Sequence, residues 1–276
     1  MPRYFFCTAL VALCWLPGLS IAAERVVSLA PHLTELVCAV GACDQLVGIT
    51  AYTDYPASVK KLPVVGDAVQ VNTEALLALR PTRVLAWDGG TPPALISRLQ
   101  RLGLKVETIN INTLNGVAVA LEQLGNELGH ATQGASAAAN YRERIATLAS
   151  RYHDAATLRV FYQIETTPAY TVNGDSPISQ VIELCGGINI FAKLPTLAAP
   201  VSDEAVLAAK PDVVLHSDHD AAAMLAYWAR YADVPPVKQG HIYGVDADLL
   251  ARSGPRLADG AELVCATLNL ARKPAR

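Results

Sequence analysis

From Ala131 to Asp154 the chain reads ATQGASAAANYRERIATLASRYHD, and this stretch constrains the fold more than any other. Ala138, Tyr141, Ile145, Leu148, Ala149 and Tyr152 recur at helical spacing, while Arg142, Glu143, Arg144 and Arg151 fall largely on the other face. No proline interrupts it. A helix of this length spans roughly 35 Å. Strand-like and helix-like segments alternate before it, from Arg25 to about Gly129, and the alternation restarts at Leu158. A long helix between two α/β halves reads as a strut, which places function between the halves. The simpler alternative is one more surface helix on a single α/β domain.

The first half predicts strands at Arg25–Leu29, Leu46–Thr50, Arg83–Trp87 and Leu104–Ile109. Helices are predicted at Leu33–Val40, Thr73–Leu79, Pro92–Leu102 and Leu114–Leu128, the first and third closed by Gly41 and Gly103. The second half predicts strands at Arg159–Ile164, Val213–His216 and His241–Val245. Its helices are expected near Ile178–Leu184, Glu204–Ala209, Ala221–Tyr231 and Pro255–Leu270. Such alternation implies parallel sheets covered by helices on both faces.

An internal repeat supports two related halves. Residues 73–88, TEALLALRPTRVLAWD, align without gaps on residues 203–218, DEAVLAAKPDVVLHSD. Glu74 matches Glu204, Leu77 matches Leu207, Pro81 matches Pro211, and Asp88 matches Asp218. Any helix leading into a buried strand drifts toward this composition, but the paired glutamate and proline exceed that drift. Ligands of open parallel sheets bind outside the carboxyl ends of strands. Here those ends carry Ala30-Pro31-His32, Trp87-Asp88-Gly89-Gly90 and the loop after Val245.

The N-terminus reads as a cleavable signal peptide. Arg3 precedes an apolar run from Tyr4 to Ala23, broken at Pro17-Gly18, with cleavage expected after Ala22 or Ala23. The uninterrupted apolar part is short for a membrane span. The remaining chain, roughly 250 residues, suits one large domain or two lobes of about 120 each. A formal net charge of −3 without a basic run argues against nucleic acid and against electrostatic membrane binding. Beyond the signal segment four cysteines remain, Cys38, Cys43, Cys185 and Cys265. An even count in an exported chain points to two disulfides, and three pairings are possible. A local Cys38–Cys43 bridge is feasible, leaving Cys185 with Cys265. A four-thiolate zinc site is the rival, but no CxxC spacing supports it.

Catalytic motifs are scarce. The chain holds no GxSxG, Walker loop, HExxH or GxGxxG. His216-Ser-Asp-His219 offers one weak metal-binding pair, and a solvated loop is the better reading. His32 follows a strand end and could meet a bound metal centre or cap the next helix. Tyr52, Tyr55, Trp87 and Tyr170 occupy loops or strand ends, where aromatics suit stacking on a flat organic ligand. Each alone is more often core packing; together, on both halves, they favour a binding cleft. Two classes survive: an exported solute-binding protein and an exported metal-dependent α/β enzyme. The missing catalytic constellation favours the first.

RVVSLAPHLTELVCAVGACDQLVGIT followed by AYTDYP, with ALRPTRVLAWDGG, RVFYQIETTPAYTVNG, QVIELCGGINIF, PVSDEAVLA and RSGPRLADGAELVC, resembles the periplasmic cobalamin-binding proteins of ABC importers. These are helical-backbone, metal-receptor (class III) substrate-binding proteins. The resemblance covers essentially the whole chain after the signal segment. It implies two Rossmann-like α/β lobes with parallel sheets, at residues 24–130 and 155–276, joined by a backbone helix at 131–154. It implies limited closure and a corrinoid held between the lobes, with no enzymatic activity and no cofactor besides that transported ligand. By matching position, Tyr52, Trp87 and Tyr170 are cleft aromatics, Asp248 and Arg252 are polar ligand contacts, and His32 faces the ligand. Cys185 and Cys265 match the family's second-lobe disulfide, whereas Cys38 and Cys43 have no counterpart. Glu74 and Glu204 match the glutamates that meet arginines on the importer's membrane subunits. The protein is expected to be a periplasmic monomer.

Two departures stand out. Ala68 and Ala198 occupy positions where the family pattern carries tryptophan. The loop Asp67-Ala68-Val69-Gln70 should therefore grip a corrin ring less by stacking. The alternatives within the same fold are haem, with Tyr52, Tyr170 or His32 as iron ligand, and a ferric siderophore.

Overall fold

Residues 24–67, 69–218 and 221–273 are described by the computed structural model, so the signal segment, Ala68 and His219 lie outside the described residues. The first half contains β1 (Val26–Ser28), α1 (Pro31–Ala39), β2 (Leu46–Gly48), α2 (Thr73–Ala78), β3 (Arg83–Trp87), α3 (Pro93–Arg101), β4 (Val106–Ile109) and α4 (Leu114–Glu127). Its four strands form a parallel sheet in the order β2-β1-β3-β4. The long helix α5 follows, Ala131–Tyr152.

The second half contains β5 (Leu158–Gln163), β6 (Glu165–Thr166), β7 (Ala169–Val172), α6 (Pro177–Leu184), β8 (Gly187–Asn189) and β9 (Ala198–Val201). It continues with α7 (Asp203–Ala208), β10 (Val213–Ser217), α8 (Ala221–Ala229), α9 (Pro235–Lys238), β11 (Ile242–Val245), α10 (Ala247–Leu250) and α11 (Leu257–Ala271). A second parallel sheet runs β11-β10-β5-β8, and β6-β7-β9 form a small antiparallel sheet. Among the described residues no helix is long and apolar enough to cross a membrane.

The internal repeat is a shared local structure. Asn72 Oδ1 accepts the Ala75 N–H at 3.0 Å, and Ser202 Oγ accepts the Ala205 N–H at 3.2 Å, each capping a six-residue helix. Both helices exit through a left-handed residue, Arg80 and Lys210, each at φ 47°. Beyond the aligned stretch, Arg25 donates to the carbonyls of Leu79 and Arg80, and Arg159 donates to those of Ala209 and Lys210. A guanidinium at a helix C-terminus satisfies orphan carbonyls and matches the helix dipole. The registers agree too: Val27 lies opposite Val84, and Phe161 opposite Val214. The order β2-β1-β3-β4 is thus repeated as β8-β5-β10-β11.

Helix α5 joins the halves through contact, not merely connection. A Cβ on Gly134 would fall 2.7 Å from the Leu121 carbonyl oxygen, and one on Gly125 would fall 2.7 Å from Gly134 Cα. The backbones of α4 and α5 therefore touch, which only glycine at both positions permits. Arg142 adds a two-pronged ion pair to Glu122 at 2.5 and 2.9 Å. Arg144, one turn from Tyr141, reaches α11 instead, pairing with Asp259 at 2.5 Å and Glu262 at 2.8 Å. Ala138, Tyr141 and Leu148 are buried in one apolar cluster with Leu121, Leu124, Val264 and Leu268 from both halves. The far faces of the sheets carry separate clusters, around Val27, Leu76 and Leu99 in the first lobe and Phe161, Met224 and Trp228 in the second.

Cys38 is bonded to Cys43 and Cys185 to Cys265. The structure departs from the sequence reading in several places. Strand β8, at the edge of the second parallel sheet, and the short helices α9 and α10 lie where the sequence predicts no element. The small antiparallel sheet was not expected, because β6 spans two residues and β9 reads Ala-Ala-Pro-Val, neither showing strand alternation. Helix α1 starts earlier than expected, at Pro31, whose missing N–H is harmless at a first helical position. Ala30 is therefore the N-cap residue, and His32 lies inside the helix instead of capping it.

Candidate functional site

The candidate cleft is the junction where α1, at the carboxyl end of β1, meets the second-lobe chain that follows β11. The buried face of α1 is apolar except for His32, Thr34 and Glu35. Glu35 is the helix's one formally charged residue, and its side chain is only 2% exposed. Such a carboxylate needs a partner, since an unpaired buried charge is strongly disfavoured. The partners come from the far end of the chain. After β11, Asp246 Oδ1 accepts the N–H groups of Asp248 and Leu249, starting the short helix α10. The chain then turns at Gly254, where a Cβ would lie 3.4 Å from His32 Cβ. This close approach delivers Arg252 and Arg256 to α1.

Arg256 grips Glu35 with two hydrogen bonds, at 2.9 and 2.7 Å, and lies 4.4 Å over the Tyr55 ring. Arg252 sits 3.4 Å from Glu35, 2.6 Å from Asp54 and 2.8 Å from Asp248, and donates to the Tyr52 carbonyl at 3.0 Å. Two cations of the second lobe are thus interleaved with two acids of the first. Burial works to raise the Asp54 carboxyl, but the Arg252 hydrogen bond and charge hold it below the usual range.

The aromatics divide. Tyr52 is 82% exposed and has a left-handed backbone, φ 64°. That conformation costs about 1–3 kcal/mol for a bulky residue and tends to occur where the surroundings impose it. Here Arg252 holds the carbonyl and leaves the phenol presented to solvent. Trp87 ends β3, half-buried, with its backbone N–H donating to Thr91 Oγ1 at 3.0 Å. The indole packs over Gly90, where a Cβ would come within 1.8 Å of the ring. His32 meets Trp87 edge-on at 5.1 Å. Tyr170 stands across from Glu165 and Pro200 on the small antiparallel sheet, half-buried. Ala198, exposed, begins β9 of the same sheet.

A cavity of about 250 Å³ opens at the carboxyl ends of β5 and β10, lined by Tyr162, Ile164, Glu165, Ile178, Ser217 and Ala247 among others. A larger depression, about 730 Å³, runs along α5 past Gln133, Asn140 and Tyr141, and none of the expected ligand residues line it. The convergence of charged and aromatic groups marks the cleft, not the larger depression. His216, half of the weak metal pair, is buried with Nδ1 donating to the Ser217 carbonyl at 2.8 Å. Among the described residues no group of three or more metal-ligating side chains converges.

The structure thus gathers His32, Tyr52, Trp87, Asp248 and Arg252 at one place and sets Tyr170 on a neighbouring sheet. Sequence reading passed over Glu35, Asp54 and Arg256. The available signal was Glu35 itself, a lone acid among buried leucines, together with Arg252 and Arg256 four residues apart.

His32 is 4% exposed, and its Nε2 is buried without a hydrogen-bond partner. Burial, then the nearby Arg252 charge, push its pKa down to about 4. The ring is neutral at pH 7. The unfolded chain takes up this proton near pH 6.5, whereas the fold resists until about pH 4. Stability is therefore complete above pH 6.5 and falls as pH drops toward 4. Urea unfolding at pH 7 and 4.5 should show a loss of about 2–3 kcal/mol from this group. His32→Asn should remove that part of the pH slope; an unchanged slope in the variant would contradict the assignment.

Residues 26–249 match the family model for periplasmic binding proteins. The vitamin B12-binding protein of Vibrio cholerae serotype O1 is 34% identical over 271 residues, covering 98% of each chain. The crystal structure of the periplasmic vitamin B12 binding protein BtuF of Vibrio cholerae superposes with a TM-score of 0.85 at 35% identity, covering 91% of this chain and 98% of that one. The periplasmic heme binding protein HutB of the same species gives 0.79 at 25% identity, covering 90% and 99%. With two parallel-sheet lobes on one long helix and a match of this extent, the chain belongs to the periplasmic binding protein family.

Proposed function

We propose that this protein captures a corrinoid, cobalamin or a close relative, between its lobes and delivers it to an ABC importer. It is a binding protein and carries out no turnover. The observation that carries the reading is the Arg252–Asp248 pair, 2.8 Å apart at the cleft and flanked by Tyr52 and by Trp87 with His32. A corrin ring is rimmed with amide side chains. Arg252 can donate to their carbonyls and Asp248 can accept from their N–H groups, while the aromatics cover the flat macrocycle. The vitamin B12-binding relatives, similar over nearly the full length, support the same ligand. Tyr170 would add a further aromatic from the second lobe. The exposed Ala198, like Ala68, supplies no ring, so the grip is weaker or suited to a corrinoid with a different lower ligand.

The rest of the reading follows that assignment. Residues 1–23 serve as the cleaved export signal, the two lobes take residues 24–130 and 155–276 around the helix at 131–154, and the periplasmic protein acts as a monomer. Calorimetric titration with cyanocobalamin, cobinamide and haemin tests the ligand. Saturable one-to-one heat with a corrinoid is expected. Tight haemin binding without corrinoid heat would instead favour the haem alternative.

Docking onto the importer is assigned to Glu74 and Glu204. Both are exposed in the first turns of α2 and α7, the matched helices of the repeat. The Glu204 carboxyl is held below its ordinary range by its own backbone N–H and by the Ser202 hydroxyl. First-turn acids are also ordinary helix chemistry. What favours docking is their equivalence, one per lobe, facing an importer with two membrane subunits. Glu74→Ala combined with Glu204→Ala should leave corrinoid affinity unchanged and weaken binding to the reconstituted importer, with each single change weaker. Wild-type uptake by the double variant at physiological salt would reject the role.

A further inference from the structure

We propose that Glu35 is a positioning residue for corrinoid binding, fixing the Arg252 guanidinium at the cleft from beneath. The inference rests on the corrinoid reading above.

The geometry separates Glu35 from the ligand. Its side chain is 2% exposed, whereas Asp54 and Asp248 on the other side of Arg252 are 47% and 32% exposed. Glu35 therefore acts through the arginines. Its two oxygens meet Arg256 at 2.7 and 2.9 Å, and the nearer one also lies 3.4 Å from Arg252. Arg256 is held on its other side by the Tyr55 ring. Arg252 is held by Asp54, Asp248 and the Tyr52 carbonyl.

The arrangement is a stack: a buried acid below, two guanidinium groups above it, and the cleft acids and aromatic loop beyond. Without the lower charge, two adjacent cations would repel, and Arg252 would be held only from the cleft side. A long flexible side chain then loses its fixed direction and must be ordered when ligand binds. The approach is also built for this contact. A Cβ on Gly254 would lie 3.5 Å from Glu35 Oε2, so the turn carrying both arginines is folded against the carboxylate. Helix α1 carries Glu35 one turn after His32, so the same helix supports Arg252 and contacts Trp87.

A double-mutant cycle tests the role, with cyanocobalamin Kd as readout and thermal melting as the check on folding. The variants are Glu35→Gln, Arg252→Met and the two combined. Glu35→Gln is expected to weaken binding at least about tenfold, in line with the loss of a buried charge partner. The combined variant should lose less than the product of the two single losses, because Glu35 acts partly through that arginine and partly through Arg256. Glu35→Asp, which keeps the charge but withdraws it by one methylene, should give an intermediate loss and replaces Glu35→Gln in the cycle if the amide fails to fold. Wild-type affinity in Glu35→Gln would overturn the role, and so would losses that multiply in the combined variant. Absence of corrinoid binding by the wild-type protein would overturn the ligand reading and this role together. Intact wild-type binding with either contrary variant result would overturn the role alone.

Discussion

The Glu35 carboxylate is the contact on which the cleft depends. It lies in the first lobe, and its partners are 217 and 221 residues away in the second. Bringing such charges out of water is costly, and the gain in attraction often does no more than offset it. The value of the cluster is therefore geometric. An apolar replacement could bury as much surface, but it would not fix the direction of two guanidinium groups. Removing one member leaves its partners less compensated, so the contacts between the lobes are coupled through this network.

Helix α5 supplies the second constraint. Its backbone touches α4 through Gly125 and Gly134, while Arg144 reaches α11. A helix fixed to both lobes along its length resists bending, since every turn is hydrogen-bonded within itself. The Glu35 cluster closes the same joint from the cleft side. The two ties are neighbours, since Arg144, Asp259, Glu35 and Arg256 line one small cavity, and together they restrain the joint between the lobes. In the first lobe Tyr52 stands exposed beside that joint, and Asp67 Oδ1 accepts the N–H groups of Val69 and Gln70, a turn held by its own side chain.

Much of this architecture is legible in the sequence because parallel strands covered on both faces read as short apolar runs. Arg83–Trp87 and Val213–His216 are such runs, and the helix–proline–strand unit before each recurs once per lobe. The small antiparallel sheet was illegible for the opposite reason: its strands span only two to four residues, too few to show a period, and β9 carries a proline. Cysteine spacing left three pairings open, and only folding decides among them. In the site, the aromatics are legible from their places in loops and at strand ends, whereas the Asp248–Arg252 pair comes from family resemblance. Their mutual contacts, and the roles of Glu35 and Arg256, depend on the chain's two ends meeting. No local periodicity reports that meeting.

The Glu35 cluster and helix α5 imply that the two lobes are held at a set spacing before ligand arrives. Spin labels at exposed positions of the two lobes, Lys60→Cys and Lys193→Cys, would measure that spacing directly by pulsed dipolar spectroscopy. With saturating cyanocobalamin, the mean distance should stay within about 2 Å of its ligand-free value, as expected of a preorganised site. A clear shift to a shorter distance on adding the corrinoid would show hinge closure and rule out a preset spacing.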